Sequence, residues 1–251
     1  MTTSAAAMWS TEMTKMRGLL AYFVSLAVFA AFNMAGAAVH YNNNRVLFEA
    51  QTVTYRVLWG QSGVIYAYLF LPIALAAWVA MAVKVEHDDR NLQRMAGYAA
   101  LCRHVLLGKL LAIAVMAVIG TVIYWVAMAV TGLMLGFGLN GELGTTLLAA
   151  LSGALGAAAV MTVLLYVAMR ARSFVTPVAV GGAGSMVGLV LVLVARPLAL
   201  FWPFCLPGNL MFVRSAGQVC LAEAVGNVAM ALLWMAAAIA VLVAHLRRRE
   251  F

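Results

Sequence analysis

The sequence predicts an all-α integral membrane protein with six transmembrane helices. Three observations predict it: the residue balance, six apolar runs of membrane-crossing length, and basic residues set between those runs. Hydrophobic residues make up 66% of the 251-residue chain and charged residues only 10%, against about 45–50% and about 25% in soluble domains. A soluble fold of this size has too much surface to hide that apolar excess from water. The net charge of +8 has two physical readings, a nucleic-acid face or membrane orientation. Here the charges are spaced between apolar runs rather than gathered on one patch, so no nucleic-acid partner is expected.

A helix needs about 20 apolar residues to cross the hydrocarbon core. The candidate spans lie near Gly18–Val39, Gly63–Val83, Leu110–Leu135, Thr145–Met169, Phe174–Ala195 and Ala224–Ala244. Helices are required because lipid offers no partner for an unpaired backbone group. The first run is span-length and the segment before it carries mixed charge, so no cleavable signal peptide is expected. Residues 1–251 read as one transmembrane domain.

Orientation follows from Lys and Arg. With the amino terminus inside, the cytoplasmic set is Lys15, Arg17, Lys84, Arg90, Arg94, Arg103, Lys109, Arg170, Arg172, Arg247, Arg248 and Arg249. The outside set is Arg45, Arg56, Arg196 and Arg214. Twelve against four is a clear positive-inside bias. It predicts a multi-pass protein of the cytoplasmic membrane with both termini in the cytoplasm.

Before the first span, Trp9, Met13, Met16 and Leu20 recur at helical spacing. They suit an interfacial helix over residues 9–17, the alternative being a tail that simply enters the span. The first outer loop, His40 to Gln61, is polar at Tyr41–Asn44 and amphipathic over Val53–Trp59, which suits a short surface helix. The largest cytoplasmic segment, Lys84 to Lys109, mixes Glu86, Asp88, Asp89, Arg90, Arg94 and Arg103 with Leu92, Met95, Tyr98 and Leu101. That mixture suits a helix wet on one face that docks on a soluble partner, or a solvated turn that only fixes topology.

The loop near Gly136–Gly144 reads as small and flexible, and Arg170–Ser173 as a tight hairpin turn. The last outer segment, Arg196–Glu223, carries Pro197, Pro203 and Pro207 around Leu200-Phe201-Trp202-Pro203-Phe204. So short an apolar run is re-entrant rather than spanning. Its backbone must be covered by protein or a cavity.

The predicted spans hold essentially no Asp, Glu, Lys or Arg in their interiors. Intramembrane ionisable groups mark proton relays and ion sites, so an ion-coupled transporter or charged-filter channel is disfavoured. Gly136-Phe137-Gly138-Leu139-Asn140-Gly141 matches GxGxxG but lacks the strand and βαβ unit that a dinucleotide site requires. No GxxxxGK[ST] phosphate loop occurs. Glu86-His87-Asp88-Asp89 has the residue types for a cation, yet solvated charges beside a span end explain it better, and no metal site is expected.

Ser185 and His245 invite a serine-protease reading, but they fall at different membrane depths, too far apart to share a proton. Asn33, Ser185 and Asn227 are too sparse to build another catalytic cluster. Gly184–Gly188 and Gly132–Gly136 have GxxxG spacing and suit close helix packing, against a sister subunit or another span. Cys102 should stay reduced, while Cys205 and Cys220 share the outer segment, where a disulfide is permitted.

Leu71-Pro72, then Val85-Glu86-His87-Asp88-Asp89-Arg90-Asn91-Leu92, then Arg103 and Gly108-Lys109-Leu110-Leu111 form an ordered series through the second and third spans. The series resembles the membrane subunits of bacterial ABC exporters of the ABC-2 class, in particular the short permeases that protect lantibiotic producers from their own peptide. Trp202-Pro203 and Pro207 resemble that family's outer re-entrant segment. Where the family often has a Pro and a Ser-Arg pair, this chain reads Ala99-Ala100-Leu101-Cys102-Arg103.

The resemblance implies an ABC-2 type transmembrane domain working as a pair with a second permease, on separate ATP-binding cassette subunits. ATP and Mg would be bound by that partner, leaving this chain without a cofactor or ATPase site of its own. Lys84–Lys109 would hold the coupling helix, with Glu86, Asp88, Asp89, Arg90, Arg94 and Arg103 facing the ATPase. The expected cargo is amphipathic or hydrophobic, an antimicrobial peptide of the lantibiotic kind being favoured over a drug, lipid or polymer. A membrane-embedded enzyme or processing factor is the rival outside transport.

Overall fold

The computed structural model describes residues 19–50, 54–88, 99–171, 173–217 and 220–247, and all regular structure among them is helical. In chain order the helices are α1 (Leu19–Asn43), α2 (Arg45–Ala50), α3 (Tyr55–Ile65), a π-turn (Tyr66–Phe70), α4 (Leu71–Asp88), α5 (Ala99–Met134), α6 (Gly141–Ala171), α7 (Val175–Val194), α8 (Arg196–Ala199), α9 (Leu206–Leu210) and α10 (Leu221–Arg247). Among the described residues, six segments are long and apolar enough to cross a membrane: Ala21–Asn43, Tyr55–Lys84, Leu106–Met134, Gly141–Ala171, Val175–Val194 and Leu221–His245.

The bundle is organised around α6. Ala149, Ala150, Gly153, Gly156, Ala157, Ala158 and Ala159 are buried along it, and it packs on α4, α5, α7, α9 and α10. Lipid tails are as apolar as leucine, so helices in a membrane associate through close contact of small residues rather than by escaping water. A helix covered on nearly all sides by small residues is therefore the natural hub. The peripheral helices show the complementary pattern. On α1, Tyr22, Leu26, Ala30, Met34, Ala37 and Tyr41 form one buried stripe, while Val24, Val28 and Phe32 point outward. Such a stripe at three- and four-residue spacing is one face of a helix.

The second span differs from its expected bounds. It begins at Tyr55 rather than Gly63, so Tyr55–Trp59 belongs to the span, while the His40–Gln61 stretch does hold a short helix, α2. Tyr55, Leu58 and Trp59 are fully buried, and their bulk fills the bundle. Residues 66–70 then widen into a π-turn, an insertion frequent at functional sites. The third span's helix begins at Ala99 rather than near Leu110. Lys109 consequently lies within α5, only 4% exposed, its Nζ donating to the Ala82 carbonyl at 3.2 Å.

The Gly136–Gly144 loop is short but pinned. Phe137 inserts between Tyr41 and Tyr55, with ring centroids 4.7 and 5.3 Å away. Gly136 makes the preceding turn at φ 84°. Glu142 Oε2 accepts the Thr54 and Arg56 amides at 3.3 and 3.2 Å and the Thr54 hydroxyl at 2.9 Å. It thereby caps the start of α3 from the start of α6. The expected hairpin between α6 and α7 is present, and Ser173 Oγ accepts the Val175 amide at 3.2 Å. The expected interfacial helix at residues 9–17 lies outside the described residues.

Candidate functional site

The segment between α7 and α10, expected from the sequence to be re-entrant, is covered by protein along much of its length. It folds as short broken helices, α8, a 3-10 turn at Pro203–Cys205, α9 and a second 3-10 turn at Val213–Ser215. Pro203–Gly208 and Leu210–Val213 are buried. Broken helices leave carbonyls without an i+4 partner, and apolar surroundings make an unpaired carbonyl costly. Side-chain donors answer several of them. Trp59 Nε1 donates to the Met211 carbonyl at 3.0 Å, Ser152 Oγ to Leu210 at 2.5 Å and Trp234 Nε1 to Phe201 at 3.1 Å. Phe212 and Ala216 adopt left-handed backbone at φ 50°, and Gly217 at φ 76°, which reverses the chain back toward α10.

Glycines form the receptacle. A Cβ on Gly156 of α6 would lie 2.5 Å from the Leu206 carbonyl carbon and oxygen, so only glycine admits the α9 backbone this close. Gly208 answers from the other side, its Cα against the ring of Tyr68. Gly184 and Gly188, expected to pack against another subunit or span, face Phe204 and Cys205 of the re-entrant segment instead. Trp202 Nε1 donates to the Gly184 carbonyl at 2.8 Å, and Cys205 Sγ to the Gly188 carbonyl at 3.3 Å. Gly132 packs on the Tyr55 ring rather than on another helix backbone.

A polar chain runs through this element. Tyr68, in the π-turn, donates its hydroxyl to Asn209 Oδ1 at 2.9 Å. Asn209 Nδ2 donates to the Ala199 carbonyl at 3.3 Å and to Asn227 Oδ1 at 3.1 Å. Asn227 Nδ2 in turn donates to the Glu223 carbonyl at 2.7 Å, and the Glu223 carboxylate pairs with Arg196 at 2.7 Å. Arg214 donates to the Val192 carbonyl. These groups line one side of a cavity of about 630 Å³ between α8, α9 and α10.

The predicted docking residues are placed only in part. Glu86 and Asp88 fall in the last turns of α4, and Arg103 in the first turns of α5. Asp89, Arg90 and Arg94 lie outside the described residues. The 36 residues of α5 extend about 54 Å at 1.5 Å per residue, longer than a hydrocarbon core of about 30 Å.

Ser185 and His245 do not meet. Ser185 Oγ donates to the Gly181 carbonyl at 2.6 Å on its own helix, and His245 packs edge-on to Tyr166, 6.5 Å between centroids. Asn33 likewise bonds its own helix, at Phe29. Cys205 and Cys220 are both free thiols, the first buried and the second exposed. Among the described residues, no three His, Cys, Asp or Glu side chains converge.

Sequence reading missed Tyr68, Asn209 and Glu142. A lone tyrosine or asparagine in an apolar run carries no periodic signal. The available clue was Asn209 directly after Pro207-Gly208, a polar amide at a forced break in helical pairing.

The family model described as ABC-2 family transporter protein matches residues 9–188. The match covers the first four spans, most of the fifth, and the segment that links α4 to α5. No curated protein and no solved structure matches the chain.

Proposed function

Because the chain belongs to the ABC-2 family of transporter proteins and is a permease subunit of an ABC exporter, we propose that a separate ATP-binding cassette subunit powers it by docking on Lys84–Lys109. The observation that carries this reading is where the charges lie. Every Asp, Glu, Lys and Arg within the six spans sits within four residues of a span end. A transporter driven by protons or sodium needs ionisable groups at depth, so work must arrive mechanically. α4 and α5 are the levers that receive it, and Glu86, Asp88, Asp89, Arg90, Arg94 and Arg103 form the charged contact. α4 continues through the π-turn into α3, which links the docking end to Tyr68 and the re-entrant element.

The machine holds two permease copies or homologues in the bacterial cytoplasmic membrane, with both termini of this chain inside. Its cargo is amphipathic or hydrophobic, with a lantibiotic-like antimicrobial peptide the favoured member. Affinity purification of the tagged chain in mild detergent tests the partner. A nucleotide-binding subunit should accompany it, and its consistent absence would favour a membrane enzyme or a structural subunit. Expression of the exporter in a sensitive strain should raise resistance to lantibiotics; unchanged sensitivity across a lantibiotic panel removes that cargo.

A further inference from the structure

We propose that the cavity between α8, α9 and α10 is a binding site for an anionic amphiphile, a phosphate-headed lipid entering from the bilayer. The site is distinct from the ATPase-docking segment, and its test needs no partner subunit. Its volume, about 630 Å³, falls within the range of sites that hold small molecules.

Charge selects the headgroup. Arg196, Arg214 and Glu223 line the cavity, which leaves one positive charge in excess. A guanidinium has five N–H donors in a planar fork. Arg196 commits Nη2 to Glu223, and Arg214 commits Nη1 to the Val192 carbonyl. The rest of each fork remains for an oxyanion, for which arginine is the best-matched side chain. The arginines are exposed at the cavity rather than sealed in the bundle, so a headgroup reaches them. A cationic ligand would find only Glu223, already paired.

The walls select the tail. Val192, Leu200, Phe201 and Phe212 supply apolar surface beside the arginines. The cavity adjoins outward-facing apolar side chains, with Leu198 58%, Phe201 59% and Leu221 78% exposed. In a membrane protein such residues meet lipid, so an acyl chain passes from the bilayer to the cavity without crossing water. One molecule satisfies both halves: a phosphate between Arg196 and Arg214 and a chain lying along Leu200 and Phe201.

Purified full-length chain in detergent is titrated with fluorescent phosphatidylglycerol, phosphatidylcholine of the same chains, and glycerol 3-phosphate. Phosphatidylglycerol should bind about tenfold or more tighter than phosphatidylcholine, as expected for charge-assisted hydrogen bonds, and glycerol 3-phosphate should not displace it. The double variant Arg196→Gln/Arg214→Gln should lose that preference, and Glu223→Gln should sharpen it. Gly226→Leu keeps the test decisive if the arginine variants fold poorly. A Cβ there meets only Leu200, at 3.8 Å, so the larger side chain enters the cavity and should abolish binding with both arginines intact. Equal binding of the two lipids, or undiminished phosphatidylglycerol binding to Gly226→Leu, overturns the proposal. Displacement by glycerol 3-phosphate replaces the amphiphile with a soluble anion and overturns it equally.

Discussion

The Tyr68 hydroxyl donates to Asn209 Oδ1 at 2.9 Å, across 141 residues of sequence, and so ties the π-turn of the second span to the re-entrant element. Tyr68→Phe removes the donor and leaves the ring in place over Gly208. Hydrogen bonds between membrane helices average about 0.6 kcal/mol and reach about 1.7. The variant should therefore show a small drop in thermal midpoint in detergent, while Asn209→Leu, which strips bonds to Tyr68, Ala199 and Asn227, should show a larger one. Equal midpoints for all three proteins would mean that this chain of bonds holds nothing together.

The close approach of α6 to α9 makes Gly156 intolerant. In Gly156→Ala the new methyl meets backbone, which cannot swing aside, so the cost exceeds the about 1–3 kcal/mol typical of overpacking. Gly182→Ala is the control, since nothing lies within 4 Å of its Cβ. Folded yield by fluorescence-detected gel filtration should fall sharply for the first variant and stay at the wild-type level for the second.

Glu142 acts as a helix cap supplied from another helix. Its carboxylate accepts the Thr54 and Arg56 amides at the start of α3, where Thr54 makes no cap of its own. Caps contribute about 0.5–2 kcal/mol. Glu142→Ala should lower the thermal midpoint accordingly. In that background Thr54→Ala should cost less than it does alone, because its hydroxyl bond to Glu142 is already gone and only the bond accepted from Asn140 is left to lose. Independent, additive losses would count against a shared cap.

Much of this architecture was legible in the chain, and the illegible part has a physical cause. The apolar runs announce the spans because lipid imposes length and composition together. The prolines at 197, 203 and 207 announce the re-entrant element because they cannot continue a helix. Tyr55–Trp59 misled because an amphipathic stretch looks alike at a membrane surface and along a bundle core. Gly184 and Gly188 were recognised as packing glycines, but spacing does not say what approaches them, and it is Phe204 and Cys205 that do. The Tyr68–Asn209–Asn227 chain unites residues far apart in sequence, which no local pattern encodes.

The cysteines report topology. Cys220 is exposed and Cys205 buried. In a Cys102→Ser background, a membrane-impermeant maleimide added to intact cells should label Cys220 and spare Cys205. Labelling of Cys220 only after lysis would reverse the proposed orientation. Non-reducing electrophoresis should show no intramolecular bridge.

The central claim is that force enters through Lys84–Lys109. The direct measurement is ATP-driven transport by the chain reconstituted with its ATP-binding subunit, compared among wild type, Glu86→Ala and Arg94→Glu. Both variants should insert and fold as the wild type does and lose transport by about an order of magnitude, as expected when a buried charge contact at an interface is broken. Wild-type transport rates in both variants would contradict the docking assignment.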